Sequence, residues 1–166
     1  PKNVRRRNRC LNDIFLFHKT YLPHVFYQDF TQDRREMIEA IRHAAMYSGD
    51  YALAGPRGEG KTRMAIFTAA ALAIAGKCHF PVVISKNQGK ANIELANLKG
   101  ELEYNELLCE DFPEICLPIR ALGGWGSRAR MQTVNGGWNT RIEWAADHII
   151  LPTIPIDVLG NWPKRS

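Results

Sequence analysis

The sequence predicts an α/β fold, in which a partial core of alternating strands and helices is followed by an antiparallel β-hairpin. Two observations support this class. Residues 51–104 read in the order strand, glycine-rich loop, helix, strand and helix, which is typical of a parallel sheet with crossover helices. Further along the chain, the run "MQTVNGGWNTRIEW" reads as two strands around an "NGG" turn, which predicts the hairpin.

A helix precedes this core. The run "TQDRREMIEAIRHAAMYSG" places apolar residues on one helical face, and Gly49 is a suitable end. Asp33 and Glu36 have the spacing of a capping box at its start. Residues 1–30 form a separate basic and aromatic segment, with a short helix and then a turn near Pro23, whereas residues 31–166 form the predicted domain.

The core elements follow in order. "YALA" (51–54) and "FPVVIS" (80–85) are short apolar runs of the kind that forms buried strands. "KTRMAIFTAAALAIAG" between them predicts a helix that ends at Gly76, and a further helix is predicted from about Asn87 to Tyr104. "HIILP" after the hairpin predicts one more short strand.

The stretch "AGPRGEGKT" (54–62) has the pattern G-x-x-x-x-G-K-[ST] of a phosphate-binding P-loop. A strand before it and a helix after it are the context that this motif requires, so the core is predicted to be of the P-loop NTPase type (RecA/ASCE-like). We expect backbone N–H groups to cradle the phosphates of ATP, Lys61 to reach the β- and γ-phosphates, and Thr62 to place its hydroxyl on Mg²⁺. The predicted nucleotide site contains Gly55, Pro56, Arg57, Gly58, Glu59, Gly60, Lys61, Thr62 and Gln32.

Arg57 and Gln32 of this predicted site have two interpretations each, and Glu59 has one. Arg57 either contacts the γ-phosphate, as a catalytic partner of Lys61, or faces solvent. The carboxylate of Glu59 repels phosphates and is expected to point outward. Gln32, or alternatively Gln28, could read the adenine edge through two hydrogen bonds, and surface polarity is the simpler interpretation of both.

Basic residues outnumber acidic ones, with a net charge of +5 and a pI near 9.2, which favours an anionic partner. Arg5, Arg6 and Arg7 lie in the basic start "PKNVRRRNRC", which is either a solvated tail or a contact to phosphates. Arg128 and Arg130 in "GSRARMQ" are further candidates for nucleic-acid contacts, with plain surface as the alternative.

The four cysteines form no C-x-x-C pair and predict reduced thiols rather than a zinc site. No apolar run approaches the roughly 18–20 residues that span a bilayer, and no signal peptide is recognisable. These features predict a cytoplasmic location.

Several residues together resemble the large terminase subunits, the ATPases that pump DNA into phage heads. "GPRGEGKT" is similar to their loop in carrying an arginine ahead of the final glycine. "VVISKNQGKANIELANLKGELEYNELLCEDFPEI" (82–115) is similar to their strand, polar turn and helix. The positions that fit the second pattern are Ala91, Leu98, Glu101, Leu102, Asn105, Leu108, Asp111, Phe112 and Pro113. The resemblance spans about residues 14–155.

This resemblance implies an ATP- and Mg²⁺-dependent motor on double-stranded DNA. The expected partners are a portal protein, a small terminase subunit and, at full length, further copies of the chain. A Walker B strand ending in Asp and Glu is not recognisable, although Asp157 and Asp147 follow or precede apolar runs. We therefore expect an N-terminal piece of such an ATPase. The alternatives are a non-catalytic nucleotide- or DNA-binding prophage remnant and a small-molecule P-loop kinase.

Overall fold

Helices dominate the protein. The structure is a computed structural model that describes residues 1–52, 54–55, 58–134 and 137–161. Its α-helices are α1 (Val4–Asn12), α2 (Ile14–Tyr21), α3 (Gln32–Tyr47), α4 (Lys61–Ile74), α5 (Gln88–Tyr104), α6 (Glu106–Asp111) and α7 (Pro113–Leu122). Two 3₁₀ helices cover Gly126–Met131 and Ile156–Asn161. Among the described helices, none is long and apolar enough to cross a membrane.

The strands are only two residues long and form two separate antiparallel pairs. β1 (Thr133–Val134) pairs with β2 (Trp138–Asn139), with Val134 opposite Trp138. β3 (Glu143–Trp144) pairs with β4 (Ile149–Ile150), with Trp144 opposite Ile149. The hairpin predicted around "NGG" is therefore present, and "HIILP" contributes a strand to a second hairpin rather than to a central sheet.

The predicted α/β class, with a P-loop NTPase core, is wrong. Within the described residues the only sheets are the two hairpins, and no parallel sheet is present. The segment 80–85 has no strand assignment, and its large apolar side chains are exposed, with Phe80 at 86% and Ile84 at 92%. The described residues of "YALA" likewise form no strand, and Leu53 lies outside the description. Strand propensity yields a strand only where a partner pairs the backbone and covers a face.

The chain divides into two compact units, and the second consists of residues 8–86. In it α4 packs against α2 and α3. Asp13 begins α2 by accepting hydrogen bonds from the backbone N–H groups of Phe15 and Leu16. The buried imidazole of His18 stacks on Phe26, with ring centroids 3.9 Å apart and 9° between the planes. This aromatic cluster explains the composition of the N-terminal segment, because its rings form part of a core.

The first unit consists of residues 1–7 and 87–166, and its core lies between α5, α6 and α7. Asn87 and Asn105 begin α5 and α6, and each side chain accepts a backbone N–H from the first turn. α7 begins with Pro113, a favoured first helical residue, and ends at Gly123 in the left-handed region with φ 60°. The fully buried side chains here include Leu102, Phe112, Cys116, Ile119 and Leu122.

The predicted helices at 31–49, 61–76 and 87–104 are confirmed as α3, α4 and α5, with ends within about two residues of those expected. The predicted capping box is wrong. Thr31 is the N-cap of α3 without a side-chain hydrogen bond, and Glu36 instead accepts from the amide of Gln32, with Nε2 and Oε1 2.7 Å apart.

Candidate phosphate-binding loop

The start of α4 carries the features of an anion site. Gly60 is the N-cap with φ 75°, and Gly58 has φ 92°, two conformations that glycine adopts without strain. The N–H of Met64 donates to the carbonyl oxygen of Gly60, the first bond of the helix. In the part of the chain that the structure describes, no side chain caps this end, and the first turn contains no acidic residue. The first N–H groups and the helix dipole therefore favour a negative charge here.

Lys61 closes the loop on itself. Its Nζ donates to the carbonyl oxygen of Gly55 at 2.6 Å, so the first and last residues of "GPRGEGK" are joined by a charge-assisted hydrogen bond. The ammonium group lies at the N-terminus of α4 in the same loop. A ligand phosphate could replace this carbonyl as the acceptor.

Glu59 folds back over the loop, contrary to the expectation that it points outward. A Cβ added at Gly55 would lie 2.9 Å from Glu59 Oε2 and 3.2 Å from Met37 Cε. A side chain at position 55 would therefore require the ends of the Glu59 and Met37 side chains to shift. The carboxylate of Glu59 occupies space beside Lys61, and a bound phosphate would have to displace it, because like charges repel.

Arg34 supplies a cation to this loop that the motif did not indicate. Its Nη2 donates to the carbonyl oxygen of Glu59 at 3.0 Å, and the side chain is half-buried. Arg34 precedes Met37 by three residues on α3, so both lie on the helical face that contacts the loop. The three-residue spacing of Arg34 and Met37 is visible in the sequence. It points to a role of Arg34 at the loop only when Met37 is known to lie next to Gly55.

The remaining predicted nucleotide-site residues divide into three groups. Thr62 is exposed as the second residue of α4, where its hydroxyl is available. Pro56 and Arg57 lie outside the described residues. Gln32 is exposed and donates to Glu36, and Gln28 donates to the hydroxyl of Tyr27 at 3.4 Å, so each amide has a local partner.

Several basic side chains lie at or beside the start of α4. Lys61, Arg63 and Arg34 supply positive charge at or beside the start of α4. Among the described residues no group of three or more His, Cys, Asp or Glu side chains could hold a metal. Mg²⁺ commonly takes one or two protein ligands and completes its octahedron with phosphates and water, and the Thr62 hydroxyl could serve as one such ligand.

The two carboxylates considered for a Walker B role belong to the other unit. Asp147 lies in the β3–β4 hairpin, where its Oδ1 is 2.9 Å from His148 Nδ1. Asp157 is exposed in the first turn of the second 3₁₀ helix. Neither follows a buried strand, which is the position that the Walker B role requires.

The arginines predicted to contact nucleic acid differ in whether they already interact with other side chains of the chain. Arg5 is exposed. Arg6 is paired with Asp111, and Arg7 pairs with Glu114 at 2.6 Å. The N-terminal run therefore stabilises its own unit, and only part of its charge faces solvent. Arg128 lies over the ring of Trp125, 5.9 Å from its centroid, and Arg130 is exposed.

No protein family, curated protein or solved structure matches the chain.

Proposed function

We propose that the chain binds a nucleoside triphosphate, ATP with Mg²⁺, through residues 55–62, and that it is the ATP-binding portion of a phage DNA-packaging terminase large subunit. In this role it acts with double-stranded DNA, a portal protein, a small terminase subunit and further copies of itself. The single observation that carries the proposal is the start of α4, where two glycines with positive φ lead into an uncapped helix that begins with Lys61.

The contacts of Lys61 support the phosphate role. Its ammonium group donates to a neutral acceptor, the carbonyl oxygen of Gly55. A phosphate oxygen in place of this carbonyl would be a charged acceptor and would form a stronger hydrogen bond. Arg34 is held beside the loop by its hydrogen bond to Glu59 O and brings a second positive charge to it. Glu59 opposes binding, so we expect moderate rather than tight affinity.

A non-catalytic nucleotide- or DNA-binding protein is the second candidate. The observation in its favour is that the two candidate acids, Asp147 and Asp157, lie in the β3–β4 hairpin and the second 3₁₀ helix rather than after a buried strand. Under this alternative the loop binds nucleotide without hydrolysing it. The two candidates share the binding step and differ in what the bound nucleotide does: in the first it serves a DNA-packaging motor, and in the second it is not hydrolysed.

Calorimetric titration of the chain with ATP and Mg²⁺ tests the binding step. Lys61→Ala removes a charge-assisted contact worth roughly 1.5–3 kcal/mol, so the affinity should fall by about 10- to 150-fold. Lys90→Ala, which removes an exposed lysine from α5 of the other unit, is the matched control and should leave the affinity unchanged. Equal affinity for the wild type and Lys61→Ala would refute the assignment.

A further inference from the structure

A segment of the first unit combines positive charge with exposed aromatic rings. Residues 123–142, "GGWGSRARMQTVNGGWNTRI", contain three arginines and two tryptophans but no Asp or Glu. The segment covers the first 3₁₀ helix and the β1–β2 hairpin. Such interleaving of cations and aromatic rings is the composition that single-stranded nucleic acid recognises.

One side of this segment is anchored in the core. Ala129, Val134, Thr140 and Ile142 are all buried. Gln132 Nε2 donates to the carbonyl oxygen of Pro118 in α7 at 2.8 Å, and the N–H of Thr140 donates to the carbonyl oxygen of Gln132 at 3.0 Å. These bonds hold the hairpin on the helical part of the unit, so its exposed side is presented by a fixed backbone.

Several large apolar and basic side chains of the segment lie in solvent. Trp125 is 63% exposed, Trp138 51% and Met131 83%. Single exposed hydrophobic residues are ordinary on a protein surface. Two exposed tryptophans within one short segment are unusual, because burying an indole ring stabilises a protein far more than burying a smaller side chain.

The cations of this segment have no acidic partner among the described residues. Arg130 and Arg141 are exposed and form no described ion pair, and the guanidinium of Arg128 lies over the ring of Trp125. The next acidic residues along the chain, Glu143 and Asp147, both contact the ring nitrogens of His148, at 2.8 Å and 2.9 Å. The segment therefore keeps its positive charge.

We propose that Trp125 and Trp138 stack on the bases of an unpaired nucleic-acid strand, while Arg128, Arg130 and Arg141 bind its phosphates. The bases of a duplex are already stacked on one another, so a duplex offers the arginines its phosphates but offers the indole rings no base face. This inference rests on the proposed function, which includes binding to nucleic acid. It adds that these side chains bind an unpaired strand rather than a duplex.

Fluorescence anisotropy with three labelled ligands tests the proposal. The ligands are an oligothymidine of about 20 nucleotides, longer than the roughly 4–16 nucleotides that one single-strand site covers, a duplex of the same length and heparin. We expect the oligothymidine to bind more tightly than both other polyanions. Trp125→Ala and Trp138→Ala should each weaken oligothymidine binding by about 5- to 150-fold, the effect of losing one stacked base.

Controls separate stacking from charge and from misfolding. Tyr104→Ala removes an exposed ring from α5 of the same unit, and Lys90→Gln removes an exposed cation from that helix. Neither change should alter the affinity for oligothymidine. Arg130→Gln should weaken all three ligands together. Thermal unfolding checks that the tryptophan variants fold, as expected for side chains that are half or more exposed.

The outcomes also distinguish this step from the function on which it rests. Equal binding of oligothymidine and duplex, with no effect of either tryptophan, would overturn the stacking proposal and leave double-stranded DNA binding intact. Heparin binding as tight as oligothymidine binding would also overturn it. If the chain bound no nucleic acid at all, the DNA binding in the proposed function would be refuted as well. The proposed ATP binding would be unaffected, because the calorimetric titration tests it separately.

Discussion

The guanidinium of Arg6 holds the fully buried carboxylate of Asp111 through two hydrogen bonds, with Nε 2.5 Å from Oδ2 and Nη2 2.9 Å from Oδ1. The same carboxylate accepts the backbone N–H of Asn3 at 3.2 Å. The bidentate geometry joins the start of the chain to the end of α6, more than one hundred residues later. The basic N-terminal segment is thus part of a folded unit.

Removal of Arg6 should destabilise the first unit. Arg6→Ala leaves the Asp111 carboxylate buried without its main countercharge, and breaking such a pair costs about 3–5 kcal/mol. We expect a fall of that order in the free energy of unfolding measured by urea titration. Arg5→Ala, which removes an exposed neighbour, should change it by less than about 0.5 kcal/mol. Equal effects of the two variants would contradict the structural role of Arg6.

His18 should make the second unit sensitive to acid. Burial lowers the pKa of His18 from 6.5 to about 3, an effect that a backbone interaction with Phe67 only partly offsets. The unfolded chain therefore takes up a proton below pH 6.5 that the folded chain does not, so the stability present above pH 6.5 is lost as the pH falls towards 3. Between pH 7 and pH 4.5 the loss should be about 2–3 kcal/mol.

Denaturant titrations of the wild type and of His18→Phe at several pH values measure this contribution. Phe retains the ring that packs on Phe26 but cannot take up a proton. The difference in unfolding free energy between the two proteins should change with pH over this window, with the wild type losing more. Parallel curves would show that His18 is protonated as readily in the folded protein as in the unfolded chain.

His148 should act in the opposite direction and only locally. Its Nε2 contacts Glu143 and its Nδ1 contacts Asp147, and these two hydrogen bonds raise the pKa of His148 above 6.5, the Glu143 bond contributing most. The imidazolium form therefore stabilises the β3–β4 hairpin below pH 6.5, and this contribution is lost as the pH rises through the raised pKa. Hydrogen exchange of the hairpin amides should accelerate over that range beyond the intrinsic pH dependence, and His148→Gln should abolish the excess. A His148 titration midpoint at or below 6.5 in NMR spectra would exclude the two-carboxylate bridge.

ATP turnover by this chain should be almost absent. Asp147 lies in the β3–β4 hairpin and Asp157 in the second 3₁₀ helix, so neither follows a buried strand, which is the position expected of the acid that activates water. Steady-state phosphate release, with and without DNA, measures this directly, and a version extended by the next hundred or so residues of its gene, where such exist, is the comparison. Brisk turnover stimulated by DNA would contradict it, and Asp157→Asn followed by Asp147→Asn would then locate the acid.

Binding to double-stranded DNA should be weak, independent of sequence and steeply dependent on salt, because it comes from counterion release. The slope of log K against log salt should fall by about one for each phosphate-contacting arginine that is removed. Arg5→Gln and Arg130→Gln should show this change, since both side chains are exposed. Arg7→Gln should change the slope less, because Arg7 pairs with Glu114. A strong preference for one duplex sequence would refute the prediction.

Much of the helical structure was predictable because its causes are local. The helix α5 begins at Asn87, whose side chain accepts the N–H of Lys90, and each further backbone bond joins residues four apart. The end of the glycine loop was predictable for the same reason, since Gly60 and Lys61 act within one helical turn. α6 and α7 were not predicted, because Pro113 and Pro118 interrupt the pattern, although the first begins α7 and the second is buried inside it.

The strands and the long-range contacts could not be predicted from such local causes. "FPVVIS" has the composition of a strand, but a strand exists only if another segment supplies its hydrogen bonds, and the described residues offer none. The sequence by itself determined where α3, α4, α5 and the end of the glycine loop lie, because those depend on neighbours within a few residues. Only the tertiary structure decided that Glu59 folds over Gly55, that Arg34 reaches the loop and that Arg6 belongs to Asp111, because each of these contacts depends on the packing of separate elements.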